Sequence, residues 1–572
     1  MDKQNLRFFF LLALLTAGMF LYNAWQVERV QVQSAPNSLN NTNNPDSGNQ
    51  SVDNSSGTAI ESVKHRVDLP VEPEHAATLG GGKLAAGHPQ VDVNVALADQ
   101  IAVHTDVMDL IIDRNGGDII HLDLPLYPRV LLNKNDGFVL LDNTEERYYI
   151  AQSGLLNEAG PDSAKLGRAT YKTDKNAYSL DGDKLNVDLR YKTANGVDII
   201  KRLVFSKGSY VVTVEYLINN HGSSEYKASM FGSLRRIKPS EQSASILNPM
   251  RTYTGAAVNT PEKKYQKLSF DDMEKKPFKQ SVVGGWAAIV EHYFISAWLP
   301  SRTEKNYYQS EVFADKSFGI GFVGQQIVVQ PGQNSVVTAE LYMGPRITDV
   351  LKSLAPGLDL TVDFGMLWWL CQPIFWVLKL LFTWVGNWGV AIILITCAIK
   401  LMFFRLSATS YRSMGNMKKL QPRIEALKQQ CGDNKQQFSQ AVMDLYKREK
   451  VNPFGGCLPM LIQIPVFIAL YYVLLESVEL RHAPFALWIT DLSAKDPFYV
   501  LPLLMGASML LQQKMNPAPA DPVQAKVMMA MPIVFTVVFL NFPAGLVLYW
   551  VVNNSLSIAQ QWYITTKLEV AK

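Results

Sequence analysis

The position in this sequence with the clearest chemical meaning is a lysine inside an apolar run. Lys400 lies near the end of the stretch 388–404, and Thr396 stands four residues before it, on the same face of a helix. A charge at the centre of a membrane-spanning helix costs about 2.5–3.5 kcal/mol on insertion scales, so the ammonium must face water, a partner or the interior of a bundle. Snorkelling is the competing account, because five residues separate Lys400 from Arg405, about 7 Å of helical rise. Other apolar runs carry polar groups too. Gln463 sits in 457–475, Ser508 and Gln512 at the end of 498–511, Thr536 in 527–542, and Asn553, Ser557 and Gln560 along 546–563, one turn beyond Tyr549 and Trp550. Singly, each reads as an interhelical hydrogen bond. Placed by depth, nearly all fall in the same half of the bundle. The opposite halves read Leu470-Tyr-Tyr-Val-Leu-Leu, Val537-Val-Phe-Leu and Leu546-Val-Leu-Tyr-Trp-Val-Val. That distribution predicts a hydrophilic cavity open to one side of the membrane and to lipid, sealed on the other side, rather than a continuous pore.

Other reactive groups form no site. His104, His121, His221 and His292 lack metal-ligand spacing, and no Gly-x-Ser-x-Gly elbow occurs. Gly82-Lys83 is followed by Leu84, so there is no Walker A loop. No cofactor and no small-molecule substrate is expected. The net charge of +3 and four cysteines, none before Cys371, argue against nucleic-acid binding and against a disulfide scaffold.

Several elements must hold the polar residues in place. Of the 572 residues, 1–26 carry an apolar run, read as a retained transmembrane anchor over a cleaved signal peptide, and 27–90 are a linker rich in Asn, Ser, Gly and Pro. From 91 to 345 the apolar period is two, as in Leu185, Val187, Leu189 and Tyr191, then Val212, Val214, Tyr216 and Ile218, with turns at Asn115-Gly116-Gly117 and Asn195-Gly196. This predicts one large β-sandwich, outside the cell's cytoplasm, with a binding or spacing role. Residues 346–387 read as an interfacial region. A short amphipathic helix at 347–363 would carry Leu351, Leu354 and Leu358, followed by the tryptophan belt Trp368, Trp369, Trp376, Trp384 and Trp388.

A span at 388–404 precedes a loop, 405–452, with ten Lys+Arg against four Asp+Glu, which the positive-inside rule makes cytoplasmic. Met417, Leu420, Ile424 and Leu427, then Phe438, Val442 and Leu445 after Gly432-Asp433, predict a helical hairpin with a narrow apolar seam, in which Pro422 kinks or starts the first arm. It is either a solvated hairpin or a docking arm for an anionic partner such as ribosomal RNA or lipid headgroups. Four further spans occupy 453–572. The fold class expected is a polytopic α-helical membrane protein, an N-terminal anchor plus a five-helix core with a large extracytoplasmic β-sandwich, both termini being cytoplasmic.

The stretches Lys450-Val-Asn-Pro-Phe-Gly-Gly-Cys-Leu-Pro-Met-Leu-Ile-Gln-Ile-Pro-Val-Phe, Ala483-Pro-Phe-Ala-Leu-Trp-Ile-Thr-Asp-Leu-Ser, Gln513-Lys-Met and Phe542-Pro-Ala-Gly-Leu-Val-Leu-Tyr-Trp identify what the chain is similar to. Over nearly its whole length it resembles the Gram-negative-type members of the YidC/Oxa/Alb family of membrane protein insertases. The resemblance implies an inner-membrane insertase and folding chaperone. Its clients would be nascent inner-membrane proteins, its partners the Sec translocon, the ribosome and membrane lipid, and its periplasmic sandwich would resemble sugar mutarotases. It also implies a substrate groove, here Lys400, Thr396, Gln463, Ser508, Gln512, Asn553, Ser557 and Gln560, and a slide for the incoming helix at Tyr549 and Trp550. Two positions depart from the family pattern: Lys400 stands where arginine is usual, keeping charge but losing the bidentate fork, and Trp550 where tyrosine is usual. The rival readings are a solute channel or transporter, which needs polar groups reaching the other face, and a membrane-anchored carbohydrate-active enzyme, which needs a paired acid and base in the sandwich.

Overall fold

A computed structural model describes residues 99–566 apart from 132, 159, 164–166, 240–251, 433, 450, 452–457 and 517–521. The expected anchor at 1–26 and linker at 27–90 lie outside the described residues. The period-two segments form strands. Lys184–Lys192, Val197–Ser206, Val211–Asn220 and Asn334–Pro345 pair antiparallel in succession, with Leu203 opposite Val214 and Val212 opposite Leu341. Among the described residues they belong to an eight-stranded sheet that faces an eleven-stranded one. Val187, Leu189, Val212, Val214, Tyr216 and Ile218 from the first sheet, and Ile101, Leu110, Ile112 and Leu122 from the second, share one buried core. Alternation puts every second side chain into that core.

The chain leaves the sandwich through Pro345. Helix α1 is Phe270–Lys275, within the sandwich; α2 is Thr348–Leu354. The amphipathic helix expected over 347–363 is therefore shorter than its pattern. Pro356 and Gly357, the latter at φ 78°, end it, and a 3-10 turn at Asp359–Thr361 follows. Leu351 and Leu358 are buried all the same.

Helix α3, Trp368–Val385, exposes Trp369, Trp376 and Trp384 on one stripe and buries Cys371, Ile374, Phe375 and Leu378 on the other. With its leading turn it is the one unbroken helix among the described residues that is long and apolar enough to cross a membrane. Trp388 does not join the exposed row; it stacks on Phe382 with ring centroids 4.2 Å apart. Gly386, left-handed at φ 66°, closes α3, and Asn387 caps α4, Trp388–Met402, by accepting from the Val390 amide at 3.0 Å.

After a break at Phe403 the chain turns by 68° into α5, Phe404–Lys419. Helices α6, Gln421–Cys431, and α7, Lys435–Arg448, form the expected hairpin. Pro422 lies in the first turn of α6, so it starts the arm rather than kinking it. Leu420 and Val442 are buried in the seam, while Ile424, Leu427, Phe438 and Leu445 are half-buried.

The remaining helices are α8, Leu458–Glu476; α9, Val500–Met515; α10, Pro522–Phe539; and α11, Ala544–Thr566. Their packing is inside-out relative to a protein in water: Leu503 is 61% exposed and Ile533 63%, while polar side chains of α11 are buried. Apolar surface of that extent fits a lipid environment.

The sandwich meets the end of α8. Arg346, 2% exposed, places Nη2 3.2 Å from Glu476 Oε2, and its guanidinium also donates to the Glu291, His292 and Thr361 carbonyls. His292 Nε2 faces the Leu475 carbonyl at 2.7 Å and so carries its proton there. Burial pushes the His292 imidazole down to about 4, opposed by that hydrogen bond and reinforced by Arg346 and Arg481. A histidine whose folded value lies below its unfolded one stabilises fully above pH ~6.5, and the contribution is lost as pH falls through about 4. Between pH 7 and pH 4.5 the wild type should therefore lose about 2–3 kcal/mol through this group. His292→Gln, which keeps a donor for Leu475, should lose correspondingly less in paired thermal melts, and parallel curves for the two proteins would refute the assignment.

Candidate functional site

Four elements, α4, α8, α9 and α11, bring most of the predicted polar residues to the end of the bundle away from the sandwich. A cavity of about 130 Å³ is lined there by Gln463, Gln512, Tyr549, Trp550, Asn553 and Ser557, all expected, together with Tyr411, Met414, Ile464, Phe467, Asn516 and Asn554. Asn553 Nδ2 donates to Gln463 Oε1 at 3.3 Å, joining α11 to α8. Asn554 Nδ2 donates to Ser508 Oγ at 3.1 Å, joining α11 to α9. Lys400 does not line the cavity directly. Its ammonium, 8% exposed, reaches the wall by donating to Ser557 Oγ at 2.6 Å, and Ser557 in turn donates to the Asn553 carbonyl at 2.7 Å. No acidic side chain pairs with Lys400 among the described residues. Its ammonium is held by a neutral hydroxyl, a weaker partner than a carboxylate would be.

Two expected residues stand apart. Thr396 is buried, its hydroxyl turned back to the Ile392 carbonyl at 2.6 Å within its own helix. Among the described residues Gln560 reaches the Phe404 carbonyl, at 3.5 Å, near the bend. The residue that continues the α11 stripe is Gln561, 2% exposed, which donates to Asn516 Oδ1 at 3.2 Å. The four-residue step 549, 553, 557, 561 was the available signal for it, and Asn554 is its neighbour on the α9 side. Tyr411 and Met414 were missed because the loop pattern was read only from Met417 onward; α5 lays them over the cavity.

Trp550 belongs to an aromatic cluster. Its ring meets Phe467 edge-on at 4.8 Å, Phe539 at 5.3 Å and Phe535 at 6.0 Å, and Tyr549, 2% exposed, lies 6.3 Å from Phe467. The Trp550 Nε1 has no hydrogen-bond partner among the described residues. The other end of the bundle is dry: Ala469, Leu470, Val473 and Leu474 of α8 pack against Ala544, Leu546 and Val547 of α11, each at most 2% exposed. Gly545 sits where a Cβ would come within 3.2 Å of Leu474 and of the Leu492 carbonyl. A polar cavity closed at one end, beside an aromatic face, can receive a polar segment from one side without opening a path through.

Residues 100–377 match the family model described as the YidC periplasmic domain, and 380–571 the model described as 60Kd inner membrane protein. The chain is 52% identical over 475 residues, 83% of its length and 85% of the relative's, to a Pseudomonas fluorescens protein named membrane protein insertase YidC. A Pseudomonas putida protein of the same name is 51% identical over 480 residues, 83% and 86% of the two chains. Among solved structures, an active YidC insertase with its first transmembrane domain resolved is 18% identical, covers 81% of this chain and 92% of its own, and has a TM-score of 0.38.

Proposed function

On the premise that the chain belongs to the YidC family of membrane protein insertases, we propose that the cavity between α5, α8, α9 and α11, whose wall Lys400 of α4 reaches through Ser557, is the groove through which it works. It is an inner-membrane protein insertase, not an enzyme, and its clients are newly made membrane proteins. In the proposed reading α4, α8, α9, α10 and α11 are five spans, joined by an N-terminal anchor. The α6–α7 hairpin and both termini are cytoplasmic, the sandwich is periplasmic, and α3 lies along the outer interface. Lys379 of α3 supports that placement by pairing with Asp349 of α2 at 2.5 Å, close beside the sandwich.

A client's polar flank enters from the cytoplasm and exchanges bulk water for the amides of Gln463, Gln512, Asn553 and Asn554. Its apolar part moves into lipid past Tyr549 and Trp550. Lys400 draws acidic residues of the flank away from Ser557. Hydrophobic partitioning supplies the energy, aided by the membrane potential at about 2.3 kcal/mol per charge per 100 mV. The Sec translocon, the ribosome and lipid are the proposed partners, the last two through the basic hairpin.

The observation that carries this reading is the convergence of Lys400, Gln463, Ser508, Gln512, Asn553 and Ser557 at one end of a bundle whose other end is closed by Leu470, Leu474, Leu546 and Val547. Cysteines at 463, 508 and 557, in a background lacking the four native ones, should react with an impermeant thiol reagent from the cytoplasmic side only. Labelling from the periplasmic side would favour a channel instead.

A further inference from the structure

The hairpin of strands Ile119–Val130 and Asn133–Leu141 departs from regular register near its tip. Leu124 pairs with Phe138 but Pro128 with the adjacent Gly137, so Pro125, Leu126 and Tyr127 form a bulge. The inner side of this bulge is fixed. Tyr127 meets Phe294 edge-on at 5.5 Å, Phe138 stacks on Phe294 at 4.1 Å, and the Arg481 guanidinium lies over both phenylalanines while Nη2 donates to the Pro128 carbonyl at 2.8 Å. The outer side is apolar and bare: Leu126 is 62% exposed and Val130 53%, with Arg129 exposed between them.

Arg481 follows the end of α8 by one 3-10 turn, Val478–Leu480, so it holds the bulge at the level where the bundle ends. At that same end Leu487 is 88% exposed and Phe498, just before α9, is 67% exposed. Two exposed aliphatic side chains around a cation, held rigidly at the depth of other bare apolar residues, match the composition of a phospholipid interface better than that of a water-facing turn.

We propose that Leu126 and Val130 rest in the headgroup region of the outer leaflet, with Arg129 toward lipid phosphate, so that the sandwich is seated on the bilayer by a contact of its own. The proposal rests on the orientation of the helices given above.

Nitroxide labels placed singly at Leu126→Cys, Val130→Cys, Val336→Cys and Ile533→Cys, in the full chain without native cysteines, test it. One copy per nanodisc of phosphatidylethanolamine and phosphatidylglycerol excludes protein partners. Power saturation should show the ratio of oxygen to a water-soluble nickel chelate highest at 533, intermediate at 126 and 130, and lowest at 336, a strand position 59% exposed at the opposite end of Asn334–Pro345 from the exit to the helices. A ratio at 126 and 130 as low as that at 336, with 533 still lipid-like, overturns this proposal alone; a ratio at 533 as low as that at 336 overturns the orientation it rests on. Shielding that appears only after a second membrane protein is added overturns it in favour of a protein partner.

Discussion

Arg346→Met should lower the stability of the protein by about 3–5 kcal/mol, the usual penalty for stripping one partner from a buried ion pair. The penalty arises from what is left behind. Glu476, 5% exposed at the end of α8, would keep a carboxylate without its counter-charge, and the carbonyls of Glu291, His292 and Thr361 would lose donors. Adding Glu476→Gln should restore part of the loss, because it removes the stranded charge. The readouts are thermal unfolding in detergent and protease cleavage between sandwich and bundle. A single variant that melts with the wild type would show that the pair does not join the two.

Lys400→Met should reduce insertion of clients with acidic translocated tails by about tenfold or more while leaving neutral-tailed clients nearly unchanged. A hydrogen bond between charged groups contributes about 1.5–3 kcal/mol, and each 1.36 kcal/mol is tenfold in rate. Ser557 Oγ, 2.6 Å from the ammonium, is a neutral partner that a client carboxylate can outcompete. Lys400→Arg should retain the preference, since it keeps the charge. Ser557→Ala should have a smaller effect than Lys400→Met, because the cation stays in place. Insertion assays on a matched pair of clients, differing only in tail charge, decide the matter, and equal loss on both would remove the electrostatic role from Lys400.

Much of this is legible in the sequence. Strands such as Lys184–Lys192 announce themselves because one face is dry and the other wet, and that demand is written residue by residue. Helix ends followed local rules too, as at Gly386-Asn387, where the left-handed closure of one helix adjoins the cap of the next. The depth of each polar residue could be read from its distance to the loops, which is why Gln463, Ser508, Asn553 and Ser557 were found. Facing was harder. Gln560 and Gln561 differ by about 100° around α11, and choosing between them needs the position of Asn516, which caps the end of α9. The 68° turn at Phe403 had no glycine or proline to mark it, so Tyr411 passed as a loop residue. Arg346 was invisible for a different reason: its partners at 291, 292, 361 and 476 are set by the fold, with no spacing in the chain to reveal them.

Helix α4 has 15 residues and α9 has 16, which at 1.5 Å each gives about 22–24 Å against a hydrocarbon layer of ~30 Å. On the proposed reading of these helices as spans, hydrophobic mismatch makes the surrounding bilayer thin to meet them. Leu401 and Met402, each 73% exposed where α4 stops, mark how high the inner lipid boundary would rise. A thinned patch shortens the oily distance that a client's polar end must traverse, so the insertase would act on the lipid around it as well as on the chain it carries.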